Sequence, residues 1–123
     1  MIFNGKEMTA VIKMAKAMIA ADGRIEKNEV TVMSNELIRF GVPQSQLNDL
    51  LTLADAMDAT EAFAIVAGFD DERKKYVASY LGTIMVSDGD VDDKELALWF
   101  LISTLCGLPT MTVGEAVQNM ANM

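Results

Sequence analysis

Apolar positions recur at three- and four-residue spacing along almost the whole chain, and no stretch alternates as a half-buried strand would. Met8, Val11, Ile12, Ala15, Met18 and Ile19 form one stripe, with Lys6, Glu7, Lys13 and Lys16 opposite, and Gly23 is placed to close this helix as a left-handed cap. A second helix is expected from about Lys27 to Phe40, with Val30, Met33, Leu37 and Phe40 inward, stopping at Gly41-Val42-Pro43. Leu47, Leu50, Leu51, Ala54 and Met57 make a third, and Asp58 with Glu61 reads as a capping box for a short fourth ending near Gly68. Asp70 or Asp71 opens a fifth, carrying Val77, Tyr80, Leu81, Ile84 and Met85. The sixth runs from about Asp92 to Cys106 and is unbroken apolar sequence from Leu96 to Ile102. A helix with no polar face belongs in the middle of a fold, so this one is expected at the centre. The seventh follows Pro109, with Val113, Ala116, Val117 and Met120 inward. The pattern predicts an all-α fold of about seven helices joined by short loops.

A shift of 66 residues superposes the punctuation of the two halves without a gap. Asp22-Gly23 falls on Asp88-Gly89, Ile25 on Val91, Glu26 on Asp92, Glu29 on Glu95, Gly41 on Gly107 and Pro43 on Pro109. Val30 meets Leu96 and Val42 meets Leu108. The coincidences fall on residues that set turns and caps, which favours duplication of a helix–Asp-Gly turn–helix unit over chance. The expected organisation is one domain over residues 1–123, with repeat 1 at about 5–57, a linking helix at 58–69 and repeat 2 at about 70–123.

Composition narrows the class. At 123 residues and 51% apolar content the chain is long enough to bury one core without disulfide or metal. Its formal net charge of −8 repels phosphate backbones and anionic lipid surfaces, so nucleic acid and membrane are not expected partners. The one basic cluster, Arg73-Lys74-Lys75, directly follows Asp70, Asp71 and Glu72, as at a helix start. A lone cysteine, Cys106, leaves no internal disulfide and fits a reducing compartment; with no signal-like N-terminus, a cytoplasmic location is expected.

Each superposed turn reads Asp-Gly-x-(Ile/Val)-(Glu/Asp)-x-x-Glu, the second half of an EF-hand loop. The first half is missing: Met18 and Ala20, then Ile84 and Val86, stand where calcium would need oxygen ligands, so an EF-hand is excluded. One reading of the remaining acids needs no metal. Asp92 can accept from the amide three residues on while Glu95 reaches back in a capping box, and Glu26 and Glu29 can serve the first copy in the same way. Two features go beyond capping. Asp22 and Asp88 sit at helix C-terminal ends, where the dipole disfavours an acid. Asp88 to Glu95 also holds five acids against one Lys, a net of −4, whereas Asp22 to Glu29 nets only −1. Crowded carboxylates call for a cation or a basic partner. Carboxylate oxygens suit calcium, magnesium or manganese, at an affinity of about 10⁻⁴–10⁻³ M. The candidate ligands are Asp88, Asp90, Asp92 and Glu95 in the second turn and Asp22, Glu26 and Glu29 in the first.

The runs Ala21-Asp22-Gly23-Arg24-Ile25-Glu26-Lys27-Asn28-Glu29 and Ser87-Asp88-Gly89-Asp90-Val91-Asp92-Asp93-Lys94-Glu95 resemble the paired signature of the TerB-like family, the bacterial tellurite-resistance and chemical-stress domain. The second run is the nearer match. The resemblance implies an all-α fold of two related helical units, divalent-metal binding by the acidic turns, and a non-enzymatic part in stress-response assemblies, sometimes near a membrane. Carried over by position, its acids are Asp22, Glu26, Glu29, Asp88, Asp92 and Glu95. Arg24 and Lys27 depart from a purely acidic turn, and the basic N-terminal extension of better-known members is missing.

The absence of histidine removes Ser-His and Cys-His nucleophile pairs, imidazole zinc sites and Glu-x-x-His di-iron centres. No glycine-rich phosphate loop occurs, and Cys106 lies in the most apolar helix as a core thiol. No enzyme activity is expected. Two functions remain: a weak divalent-cation-binding domain acting in a protein assembly, or a metal-independent protein–protein interaction module whose acidic turns are helix caps. Ten methionines suit an adaptable binding surface, but Met8, Met18, Met33, Met57, Met85 and Met120 all fall on inward stripes and are expected to fill the core.

Overall fold

A computed structural model describes residues 3–21, 23, 27–87 and 91–123. Seven helices and no strand occur among them: α1 (Gly5–Ile19), α2 (Lys27–Arg39), α3 (Gln44–Ala56), α4 (Ala59–Ala67), α5 (Asp71–Met85), α6 (Asp93–Cys106) and α7 (Val113–Asn122).

The helices start where side-chain oxygens can satisfy the first free amides. Asn4 accepts from the Glu7 amide at 2.8 Å and Glu7 accepts from the Asn4 amide at 2.9 Å, a complete capping box on α1. Thr112 and Glu115 repeat the arrangement on α7. Asp70 caps α5 through the Arg73 amide, so of the two candidate starts it is Asp70 that serves. Asp58 caps α4 alone, accepting from Thr60; its expected partner Glu61 instead pairs with Lys6 at 3.1 Å.

Two helix ends close alike. Gly41 and Gly107 both take positive φ, at 100° and 66°. The next amide in each case reaches back five residues, Val42 to the Leu37 carbonyl at 3.0 Å and Leu108 to the Ser103 carbonyl at 2.8 Å. These are Schellman closures, and both Val42 and Leu108 tuck into the core as the motif's apolar contact. Gly23 also has positive φ, 81°, but α1 ends earlier, at a cap on Ala20, and Gly23 lies in the turn beyond it.

The centre of the molecule is α1 against α5. α1 packs on α3, α4 and α5; α5 packs on α1, α2, α6 and most extensively α7. Ala10, Val11, Ile12 and Ala15 of α1 are fully buried, as is an unbroken run on α5 from Tyr76 to Leu81, continued by Ile84 and Met85. The inward methionines pack as expected, with Met8, Met18, Met33, Met85 and Met120 buried and Met57 half-buried. The expectation of a central α6 is not met. Trp99, Ile102 and Cys106 are buried, but Phe100, Leu101 and Leu105 on its other side are half exposed. Val117, expected inward on α7, is exposed as well.

The seam where three helices meet depends on Gly82. A Cβ there would stand 2.7 Å from Ala116 Cβ of α7 and 3.0 Å from Trp99 Cζ2 of α6. The Trp99 indole N–H donates to the Ala78 carbonyl at 3.0 Å, so the ring is fixed on α5 by a polar contact as well as by packing.

Candidate functional site

The site suggested by the sequence is the pair of acidic turns between α1 and α2 and between α5 and α6. Asp22, Glu26, Asp88 and Asp90 lie outside the described residues. Glu29, Asp92 and Glu95 lie within them, each at a helix start.

Asp92 is the N-cap of α6. One of its carboxylate oxygens accepts from the Lys94 amide at 2.8 Å and the Glu95 amide at 3.3 Å. The expected hydrogen bond to the amide three residues on is therefore made. Its reciprocal half is not: the capping box that Glu7 and Glu115 complete on α1 and α7 is absent from α6. Glu95 is turned inward, 3% exposed. Glu29, its counterpart under the 66-residue shift, is the third residue of α2 as Glu95 is of α6, and is 0% exposed. Sequence reasoning gave both acids as caps or cation ligands at helix starts, with nothing to mark them as interior; the fold buries both. Acids are rarely buried without a partner of opposite charge or hydrogen-bond donors, and nothing in the helical periodicity signals it, because a carboxylate in a first turn reads as dipole compensation.

The donors available at these turns are carboxylate oxygens, a set that fits a hard cation and excludes zinc or copper sites built on imidazole. Among the described residues no group of three or more acids or cysteines is arranged to hold a metal ion.

Cys106 is 1% exposed, and its thiol reaches the Phe63 carbonyl at 3.6 Å. Burial pushes its pKa up, and the nearby Lys74 ammonium only partly opposes that, so the thiolate needed of a nucleophile is disfavoured. Arg73 of the basic cluster is tied to Glu7 at 2.9 Å and lies over the Phe3 ring, 5.4 Å from its centroid, rather than facing outward for an anion. Among the described residues no helix is long and apolar enough to cross a membrane.

No curated protein matches the chain. Among solved structures, a crystal structure of a protein of unknown function, PG1108 from Porphyromonas gingivalis W83, is 61% identical. That match covers 99% of this chain and 92% of the other, with a TM-score of 0.91. The family described as tellurite resistance protein TerB matches residues 8–117, across all the helices from the first turn of α1 to the middle of α7 and through both acidic turns. The chain belongs to the TerB family.

Proposed function

We propose that this TerB domain is a non-enzymatic, stress-response-type module that binds a divalent cation weakly through its acidic turns and acts within a protein assembly. The observation that carries the reading is the matched burial of Glu29 and Glu95, one at the end of each acidic turn. Each is turned inward at the third position of its helix, and the same arrangement at both turns favours a shared role. Glu95 closes a segment, Asp88 to Glu95, of net charge −4, which a cation relieves more than a cap does. Calcium, magnesium and manganese are the candidates. Asp88, Asp90, Asp92 and Glu95 would hold the stronger site, and Asp22, Glu26 and Glu29 the weaker, where Arg24 and Lys27 offset the charge.

A second reading is favoured by Asp92, whose carboxylate is already occupied by two amides. On that reading the turns are caps and the domain is a metal-independent interaction module with a basic partner.

Backbone amide NMR of metal-stripped protein separates the two. Titration with calcium, then magnesium and manganese, is expected to give saturating shifts confined to residues 88–95, and more weakly 22–29, with Kd of about 10⁻⁴–10⁻³ M. Asp92→Asn keeps the capping oxygen while removing the charge, so it should hold the unfolding midpoint and weaken the cation response. No localised shift in the unaltered chain up to about 10 mM cation refutes the cation reading and leaves the caps.

A further inference from the structure

We propose that the exposed face of α6 is a self-complementary interface, through which two copies of this chain pair antiparallel about a two-fold axis near Leu101. The proposal stands apart from cation binding. α6 is apolar on both sides, but the chain's own core covers only one, the side of Trp99, Ile102 and Cys106. On the other, Ala97, Leu101 and Leu105 follow at four-residue intervals as one exposed row, flanked by Phe100 and Thr104. Phe100, Leu101 and Leu105 keep 51%, 52% and 55% of their surface in solvent. A groove of about 500 Å³ runs alongside, lined by Trp99, Phe100, Ser103, Thr104, Leu108 and Met111, without a charged side chain. Isolated exposed leucines are ordinary; a contiguous row beside an uncharged groove is the surface of a helix-docking site.

The charges at the two ends of the row identify the occupant. Asp93, exposed, stands one turn before Ala97 on the same four-residue row. Lys74 closes the other end: its ammonium lies over Gly107, where a Cβ would meet it at 3.3 Å. Neither side chain makes an ion pair with a described residue. The 14 residues of α6 span about 21 Å, so Asp93 and Lys74 stand about one helix length apart, with Lys94 next to the first and Asp71 beside the second around Gly107 and Pro109. A second copy laid antiparallel sets each Asp93 against the partner copy's Lys74, two oppositely charged pairs for one operation, and puts small Ala97 against large Leu105. A parallel copy would oppose like charges, and a wholly basic helix would meet Lys74. Isologous two-fold pairing is the arrangement that satisfies both ends. One helix face per copy is at the small end of specific interfaces, so the dimer should be weak, with Kd on the order of 10–100 μM.

Sedimentation velocity of the full chain, at about 0.15 M salt and from about 1 μM to 1 mM protein, tests the proposal. A reversible monomer–dimer equilibrium is expected. Leu101→Glu should leave a monomer throughout with unchanged helical circular dichroism, since that side chain lies outside the core. Asp93→Lys and Lys74→Glu alone should each weaken the dimer by about fivefold or more, and the double variant should recover it. A strict monomer up to about 1 mM overturns the proposal. So does a dimer indifferent to Leu101→Glu, or two single charge reversals whose combination does not recover pairing.

Discussion

The two tyrosines of this chain occupy nearly the same place and differ in one hydrogen bond. Both are fully buried on α5, stacked with ring centroids 5.7 Å apart and planes 18° from parallel. The Tyr80 hydroxyl donates to the Met33 carbonyl of α2 at 3.0 Å. The Tyr76 hydroxyl, boxed in by the Phe3 and Phe40 rings, finds no partner among the described residues. A buried hydroxyl without a partner carries its desolvation cost with no return, whereas a bonded one contributes about 1 kcal/mol. Tyr76→Phe is therefore expected to be neutral or to stabilise by up to about 1 kcal/mol, while Tyr80→Phe should destabilise by about 1 kcal/mol. Urea unfolding midpoints compared at equal m decide it. A Tyr76→Phe loss as large as that of Tyr80→Phe would mean the Tyr76 hydroxyl is satisfied after all. The apolar burial of both rings was not equally legible beforehand: Tyr80 falls on the helical stripe, but Tyr76 directly follows the charged run Asp71 to Lys75, and only the arrival of Phe3 and Phe40 against it makes the site interior.

At the scale of elements, periodicity located all seven helices and most inward faces, because apolar side chains repeating every 3.6 residues line up on one side of a helix and on no side of a strand. It misplaced the centre. The helix with the longest unbroken apolar run, α6, lies at the side with one face covered, and the centre belongs to α1 and α5, whose ends carry ordinary charges. Apolar content reports how much of a helix is to be covered, not whether the cover comes from the same chain. The candidate site shows the same limit. The cap on Asp92 was legible from an acid three residues before Glu95, while the inward turn of Glu29 and Glu95 was not, since burial of a charge depends on tertiary neighbours. What does fix the middle is a glycine. Replacing Gly82 by Ala would gain up to about 1 kcal/mol of helix propensity, but its methyl would meet Ala116 Cβ at 2.7 Å. That atom is anchored to the α7 backbone and cannot swing aside, so α7 and Trp99 must move, at about 1–3 kcal/mol. Steric cost wins: Gly82→Ala is expected to lower stability by about 1–2 kcal/mol and Tm by roughly 4–10 °C. A thermal melt with equal or higher Tm would show that the α5–α7 seam is looser than this.

For the whole molecule, the buried tyrosine pair links folding to pH at the alkaline end. Burial raises both phenol pKa values above the ordinary 10.0, first by loss of hydration; the Glu36 carboxylate adds to it in each, and Arg39 opposes it at Tyr76. The unfolded chain loses these protons above pH 10 while the folded chain keeps them, so the unfolded state binds fewer protons there and stability falls as pH rises. The contribution is fully present below the unfolded value of 10.0 and disappears as pH climbs through the raised folded values. Each ring adds a slope of about 1.4 kcal/mol per pH unit in that window. Because Tyr76 and Tyr80 tie α5 to α2, to Phe3 ahead of α1 and to Phe40 beyond α2, neither ring can ionise without opening the core. Tyrosinate absorbance and helical circular dichroism should therefore change together in one alkaline transition, and Tyr76→Phe should remove about half of the tyrosine-dependent slope. Tyrosinate appearing a pH unit or more before the helical signal falls would mean that the aromatic cluster opens by local motion rather than with the fold as a whole.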